Sequence, residues 1–189
     1  PNGVRWDRDI PAATPPGLTA RSGATTGERT SIHLRAPEIS SNALGALLLE
    51  STLDGIVVAL APGDRRWRGL AESRDRRVST CLGGDRREAS VASALEALAD
   101  RANDTDWVIV HDAARPCLGH EDLARLIRAT RNDPVGGLLA VPVADTLKCD
   151  DGSGRSARTA ARDGLWRALT PQMFRFGLLR RALALCRER

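Results

Sequence analysis

The sequence has no tyrosine, one methionine and only 3% aromatic residues. Stacking platforms for single-stranded nucleic acid are therefore scarce, and a net charge of +4 adds little to that class. No apolar run approaches the ~20 residues of a membrane span. The longest, 56–62 and 136–143, are strand-sized. The first residues lack the continuous apolar stretch of a signal peptide. The four cysteines, Cys81, Cys117, Cys149 and Cys186, lie 36, 32 and 37 positions apart, which fits neither a zinc pattern nor a dense disulfide framework. Reduced thiols in a cytoplasmic protein, with no membrane and no nucleic-acid partner, are expected. Lysine is nearly missing: of 28 Lys and Arg residues, Lys148 is the single lysine and the other 27 are arginine.

What is present is one domain's worth of chain, 189 residues with 42% hydrophobic and 28% charged. Composition changes near residue 42. Residues 1–42 are rich in Pro, Gly, Ala, Ser, Thr and Arg and show no sustained periodicity, so an irregular N-terminal segment is expected there. From residue 43 to 189 the pattern alternates. Buried strands are expected at 55–61, 107–111 and 137–143, with a weaker one at 77–82. Helices are expected at about 88–102, 120–131 and 174–187, where apolar residues recur at i, i+3, i+4. Pro142 suggests an edge or bend. Residues 145–169 read as short extended pieces around a Gly/Ser/Asp loop. Such alternation predicts an α/β fold with a mostly parallel sheet and helices on both faces.

In open α/β sheets ligands bind beyond the carboxyl ends of strands, so chemistry is sought there. Gly83-Gly84-Asp85-Arg86-Arg87 follows a strand and precedes a helix. It is either an ordinary turn or a loop whose backbone N–H groups approach an anion. His111-Asp112-Ala113-Ala114-Arg115-Pro116 follows the strongest strand. An acid and a guanidinium three residues apart suit a metal–phosphate complex and an anionic substrate, or else a structural ion pair closing a loop. His111 reads as a structural histidine rather than a base. With no second histidine or cysteine nearby, a catalytic triad or metal cluster is rejected.

Four motifs occur in order: G-G-D-x-R-x-x-S (Gly83–Ser90), W-V-I-V-H-D-A-A-R-P (Trp107–Pro116), G-G-L-L-A-x-P-V-x-D-T-L-K (Gly136–Lys148) and R-D-G-L-W-x-A-L-T-P-Q (Arg162–Gln172). In this the chain resembles the 2-C-methyl-D-erythritol 4-phosphate cytidylyltransferases of non-mevalonate isoprenoid synthesis, from about Ala43 to Leu185. The resemblance implies a Rossmann-like nucleotidyltransferase domain in a homodimer, with a dimerisation arm at about 141–166. It implies CTP with Mg²⁺, methylerythritol phosphate as acceptor and pyrophosphate as product. Gly84, Asp85, Ser90 and Ala113 match nucleotide-binding positions. Asp112, Arg115 and Thr146 match the methylerythritol phosphate site, with Asp112 near Mg²⁺. Arg162, as the catalytic cation, and Thr170 match arm-side positions reaching the neighbouring subunit's substrate. The ribitol 5-phosphate cytidylyltransferases share much of this frame and are the alternative. A catalytically dead remnant that binds nucleotide or dimerises is the other.

The chain departs from the family at both ends. In place of the loop V-P-A-A-G-x-G-x-R-M and the following P-K-Q-Y it has Ile10-Pro11-Ala12-Ala13, then Thr14-Pro15-Pro16. The family's loop lysine and its C-terminal N-x-K-x-T lysine have no match, since Lys148 is the only lysine. Arginine does not replace a lysine point charge at a packed site. Impaired activity is the expectation. The low-complexity composition of 1–42 is also what an out-of-frame reading of a G+C-rich gene produces.

Overall fold

The computed structural model describes residues 30–35 and 41–187. In chain order these form β1 (Thr30–Arg35), α1 (Ser41–Leu48), β2 (Gly55–Leu60), β3 (Val78–Leu82), α2 (Arg87–Ala97), β4 (Trp107–Asp112), α3 (His120–Thr130), β5 (Gly136–Pro142), β6 (Lys148–Asp150), β7 (Ser156–Thr159), β8 (Trp166–Arg175) and α4 (Phe176–Arg187). Two short 3-10 turns, Trp67–Gly69 and Ala71–Arg74, join β2 to β3.

Strands with a continuous apolar run must be covered on both faces, and β2 and β4, the latter over 107–110, carry such runs. Ile56, Val58, Trp107 and Ile109 point into one buried cluster with Leu44 and Leu47 of α1, Leu123 and Leu126 of α3, and Met173. Their neighbours Val57, Val108 and Val110 point the other way, against Val91, Ala94 and Leu95 of α2 and Phe176 of α4. The period of two in the strands and of 3.6 in the helices thus gives three layers, helix–sheet–helix. In α3 the acidic Glu121 and Asp122 sit in the first turn and Arg128 in the last, the sense that suits the helix dipole.

The main sheet has the order β3-β2-β1-β4-β8-β5. β1, β2, β3 and β4 run parallel, and β8 is antiparallel to both β4 and β5. The Rossmann-like α/β architecture expected from the alternation is therefore present, with the expected strands and helices in place. Pro142 closes β5, the edge strand, as its missing N–H requires. α2 is shorter than expected, ending at Ala97, and the chain continues to Arg101 through tight turns.

One expectation is corrected. Residues 1–42 were expected to hold no strand, yet Thr30–Arg35 lies between β2 and β4 near the sheet centre. Its sequence, Thr-Ser-Ile-His-Leu-Arg, carries only two aliphatic residues, too few to show as a buried strand without its neighbours. The expectation of no strand over 4–13 lies outside the described residues. β8 extends through residues for which the sequence analysis gave no strand or helix. Its interior Pro171 argues against a central strand, but the pairing with β5 shifts register there, from Leu138↔Gln172 to Ala140↔Ala168. Pro171 falls in that irregular stretch, where the ladder asks for no N–H.

Candidate functional site

Because β2, β3 and β4 are parallel, Leu60, Leu82 and Asp112 emerge at the same edge of the sheet. The loops after β3 and β4 meet there, at the carboxyl-end crevice where α/β sheets hold ligands.

The loop after β3 is shaped by Ser90. Its side chain is fully buried, and its hydroxyl accepts from the Gly84 N–H at 3.0 Å while lying 3.1 Å from the Arg86 carbonyl oxygen. The Gly83 N–H donates to the Leu60 carbonyl at 2.8 Å, tying the loop to β2. A Cβ on Gly84 would stand 2.5 Å from the Cβ of Ala89, so only glycine lets the loop lie this close to α2. Ser90 therefore sets the form of the loop, while Gly84 and the exposed Asp85 are at its surface.

The loop after β4 turns at once: the Arg115 N–H donates to the Asp112 carbonyl at 2.9 Å. His111 is buried beneath the turn with Nε2 3.0 Å from the Arg115 carbonyl oxygen, and its Nδ1 has no partner among the described residues. Burial holds this imidazole below its ordinary value, against the opposing effect of that carbonyl and of Asp112. A buried neutral histidine bonded to backbone is a structural part of the turn, as expected. Ala113 is also buried, its methyl in the core beside Leu123, which leaves its backbone as the part able to meet a ligand.

Asp112 is the centre of the crevice. Its Oδ1 accepts from Arg87 Nε at 2.8 Å, and its Oδ2 lies 3.5 Å from Arg115 Nε. Its backbone N–H meets Thr170 Oγ1 at 3.3 Å, so β8 contributes to the same point. Gly84, Ser90, Asp112, Ala113, Arg115 and Thr170 thus gather on these two loops and the adjoining strand. Thr170 sits in β8, its hydroxyl beside the Asp112 N–H of its own chain. Thr146 and Arg162 lie apart, on the exposed segment between β5 and β8. There β6 and β7 pair as a separate two-stranded sheet, and the Arg162 guanidinium donates to the Ala144 carbonyl. Among the described residues no hydrogen bond joins Thr146 or Arg162 to the Asp112 cluster. Arg87, the arginine of G-G-D-x-R, was not singled out from the sequence; its place in the motif was the available signal.

Among the described residues no group of three or more His, Cys, Asp and Glu side chains could hold a metal ion. No described helix is long and apolar enough to cross a membrane.

A parallel α/β sheet whose strand ends carry a glycine loop on a helix and an arginine-bracketed carboxylate has the form of a nucleotidyltransferase domain. The comparisons name the family within that class. The chain matches the family model described as 2-C-methyl-D-erythritol 4-phosphate cytidylyltransferase over residues 10–189, and it belongs to that family. It is 46% identical over 178 residues to the enzyme of that name from Pseudomonas putida strain GB-1, covering 94% of this chain and 74% of the relative. With the enzyme from Pseudomonas fluorescens strain Pf0-1 the identity is 48% over 176 residues, 93% of this chain and 73% of that one. A crystal structure of a 4-diphosphocytidyl-2C-methyl-D-erythritol synthase superposes with a TM-score of 0.75 at 37% identity, covering 84% of this chain and 80% of the other. That of the Francisella tularensis cytidylyltransferase gives 0.73 at 29% identity, covering 85% and 79%.

Proposed function

We propose that this chain transfers a cytidylyl group from CTP to 2-C-methyl-D-erythritol 4-phosphate and releases pyrophosphate. The observation that carries the reading is the Asp112 cluster, facing the Gly83–Gly84 loop at the carboxyl ends of parallel strands in a chain of this family. An oxygen of the acceptor's phosphate attacks the α-phosphorus of CTP, the new P–O bond forms, and the bond to the β-phosphate bridging oxygen breaks. A phosphate monoester is already an anion at neutral pH, so no strong base is needed. The protein's work is to hold two polyanions together and offset their charge.

Gly84 and Asp85 on the loop, Ser90 behind it and the Ala113 backbone are assigned to the nucleotide. Arg115 is assigned to the acceptor's phosphate, together with Thr146. Magnesium commonly takes one or two carboxylates, several waters and the substrate's own phosphates. The donor set fits that mode: one carboxylate, Asp112, a quarter exposed, and no preformed cage among the described residues. Mg²⁺ arriving with CTP, with Asp112 as protein ligand, would supply charge neutralisation at the transferred phosphate.

We take the catalytic domain as 43–189 with strand Thr30–Arg35 added, and 141–166 as the arm of a homodimer. The arm's support is its exposure: every residue of β7 and nearly every residue from 150 to 165 is exposed. Arg162 and Thr170 are then assigned to the acceptor, Arg162 acting across the subunit boundary. The relatives named above are methylerythritol phosphate enzymes, which favours that acceptor over ribitol 5-phosphate. The test is pyrophosphate release from CTP with each acceptor in turn. Release with methylerythritol phosphate is expected; a preference for ribitol 5-phosphate refutes the assignment. Nucleotide binding without release from either supports a catalytically dead remnant.

A further inference from the structure

Asp112 bears on its first oxygen a guanidinium from a different loop from the one that carries Arg115. Arg87 is the first residue of α2, directly after the Gly83–Arg86 loop, and it reaches 25 positions along the chain to Asp112 at 2.8 Å. The second oxygen is the one near Arg115, at 3.5 Å. The Arg87 side chain is 43% exposed and that of Asp112 26%, so the pair sits at the mouth of the crevice rather than in the core. Only Nε of Arg87 is engaged; its two terminal nitrogens have no hydrogen-bond partner among the described residues. The contact is therefore a poor choice for holding the fold together, since half-exposed ion pairs contribute little stability. It is well placed for another purpose. A bare carboxylate at this point would repel any phosphate entering between the two loops.

We infer that Arg87 is the internal counter-ion of Asp112: it neutralises the carboxylate while no metal is bound, so that the crevice accepts the triphosphate of a nucleotide in either condition. Arg87 is thus a positioning residue that acts through Asp112. The inference rests on the nucleotide reading given above. It goes further by giving Arg87 a role and by predicting when that role matters. With the metal present, Asp112 has both the metal and Arg115 as further positive neighbours, and Arg87 is partly redundant. Without it, Arg87 is needed.

The experiment measures the dissociation constant of CTP at equilibrium, for the full chain, in Mg²⁺ and in EDTA. The variants are Arg87→Met, Asp112→Asn and the two together. Arg87→Met is expected to weaken CTP binding by about tenfold or more in EDTA, the size of one unpaired charge near a phosphate, and by less than about threefold in Mg²⁺. Adding Asp112→Asn to Arg87→Met is expected to restore binding in EDTA to within about threefold of the parent, because the repelling charge is gone. Arg87→Lys, which keeps the charge, is expected to lose less than Arg87→Met. Equal losses in Mg²⁺ and EDTA, or no recovery in the double variant, would mean a merely structural arginine and overturn the inference. No measurable binding by the parent in EDTA also overturns it. Failure of the parent to bind CTP even with Mg²⁺ refutes the nucleotide reading itself, which keeps the two apart.

Discussion

His111 is the residue whose titration bears on stability near neutral pH. Burial lowers its affinity for a proton below the ordinary imidazole value of 6.5, and among the described residues its Nδ1 has no acceptor to welcome one. Above that pH both folded and unfolded chains carry it neutral. Below it the unfolded chain takes up a proton that the folded chain refuses, so stability falls as pH drops. The expected result is a stability plateau above pH 6.5 and a decline as pH falls below it, seen by urea denaturation at each pH. His111→Asn should flatten that decline. Asp75, Asp133 and Asp151, held by hydrogen bonds below the ordinary carboxylate value of 3.8, contribute only at lower pH. An unchanged slope in the variant counts against this account. At this scale the sequence was informative where a residue's motif and its neighbours coincide, as for Gly84, Ser90 and Asp112. It gave for Arg87 only a place in the motif, because the contact that gives it meaning runs from the start of α2 to the end of β4, 25 positions along the chain.

Among the elements, β5 and β8 depend on one glycine. Gly136 has a φ of 128°, and a Cβ there would lie 2.0 Å from the Met173 carbonyl oxygen. Gly136→Ala must therefore move one strand or the other, and a loss of roughly 2–4 kcal/mol is expected by thermal or urea unfolding. Wild-type stability would show that β5, at the sheet edge, yields without cost. The arm gives a second prediction. If Arg162 serves a partner's acceptor site, Arg162→Ala should weaken methylerythritol phosphate binding by about tenfold or more while CTP affinity changes little. Equal losses for both ligands would place Arg162 elsewhere. The strands with continuous apolar runs, β2 and β4, were legible because burial on both faces leaves such a run. β8 was not, since it mixes Arg, Thr and Pro with Met and Phe and gains its place from two antiparallel neighbours. Thr30–Arg35 was hidden in the same way, a strand defined by what flanks it in space.

For the molecule as a whole the question is charge supply. Transfer of a cytidylyl group needs fixed cations about the α-phosphate, and losing one preorganised donor commonly costs ~10²–10³ in rate. The family's loop lysine has no match among residues 1–42, and the one lysine, Lys148, lies in β6 bonded to Thr159. Pyrophosphate release by this 189-residue chain is therefore expected to fall at least about a hundredfold below that of the Pseudomonas putida relative assayed beside it. Comparable turnover would mean that arginines rebuild the phosphate site. Sequencing the 5′ part of the gene tests the origin of the departure: an intact frame through residues 1–42 removes the frameshift hypothesis.

The route by which the arm leaves the body bears on how such a protein diversifies. β5 and β8 are paired where the arm departs, Pro142 opposite Trp166, and the Val143 N–H donates to the Leu165 carbonyl at 3.0 Å. The arm is thus a long excursion whose two ends are clamped together at the neck. Closing such a loop costs an entropy that grows only with the logarithm of its length. Insertions, deletions and whole-hairpin exchanges beyond the neck are consequently nearly neutral for the sheet. Beyond the neck, and away from Thr146 and Arg162, the segment between β5 and β8 can therefore be rewritten in a lineage without disturbing the crevice.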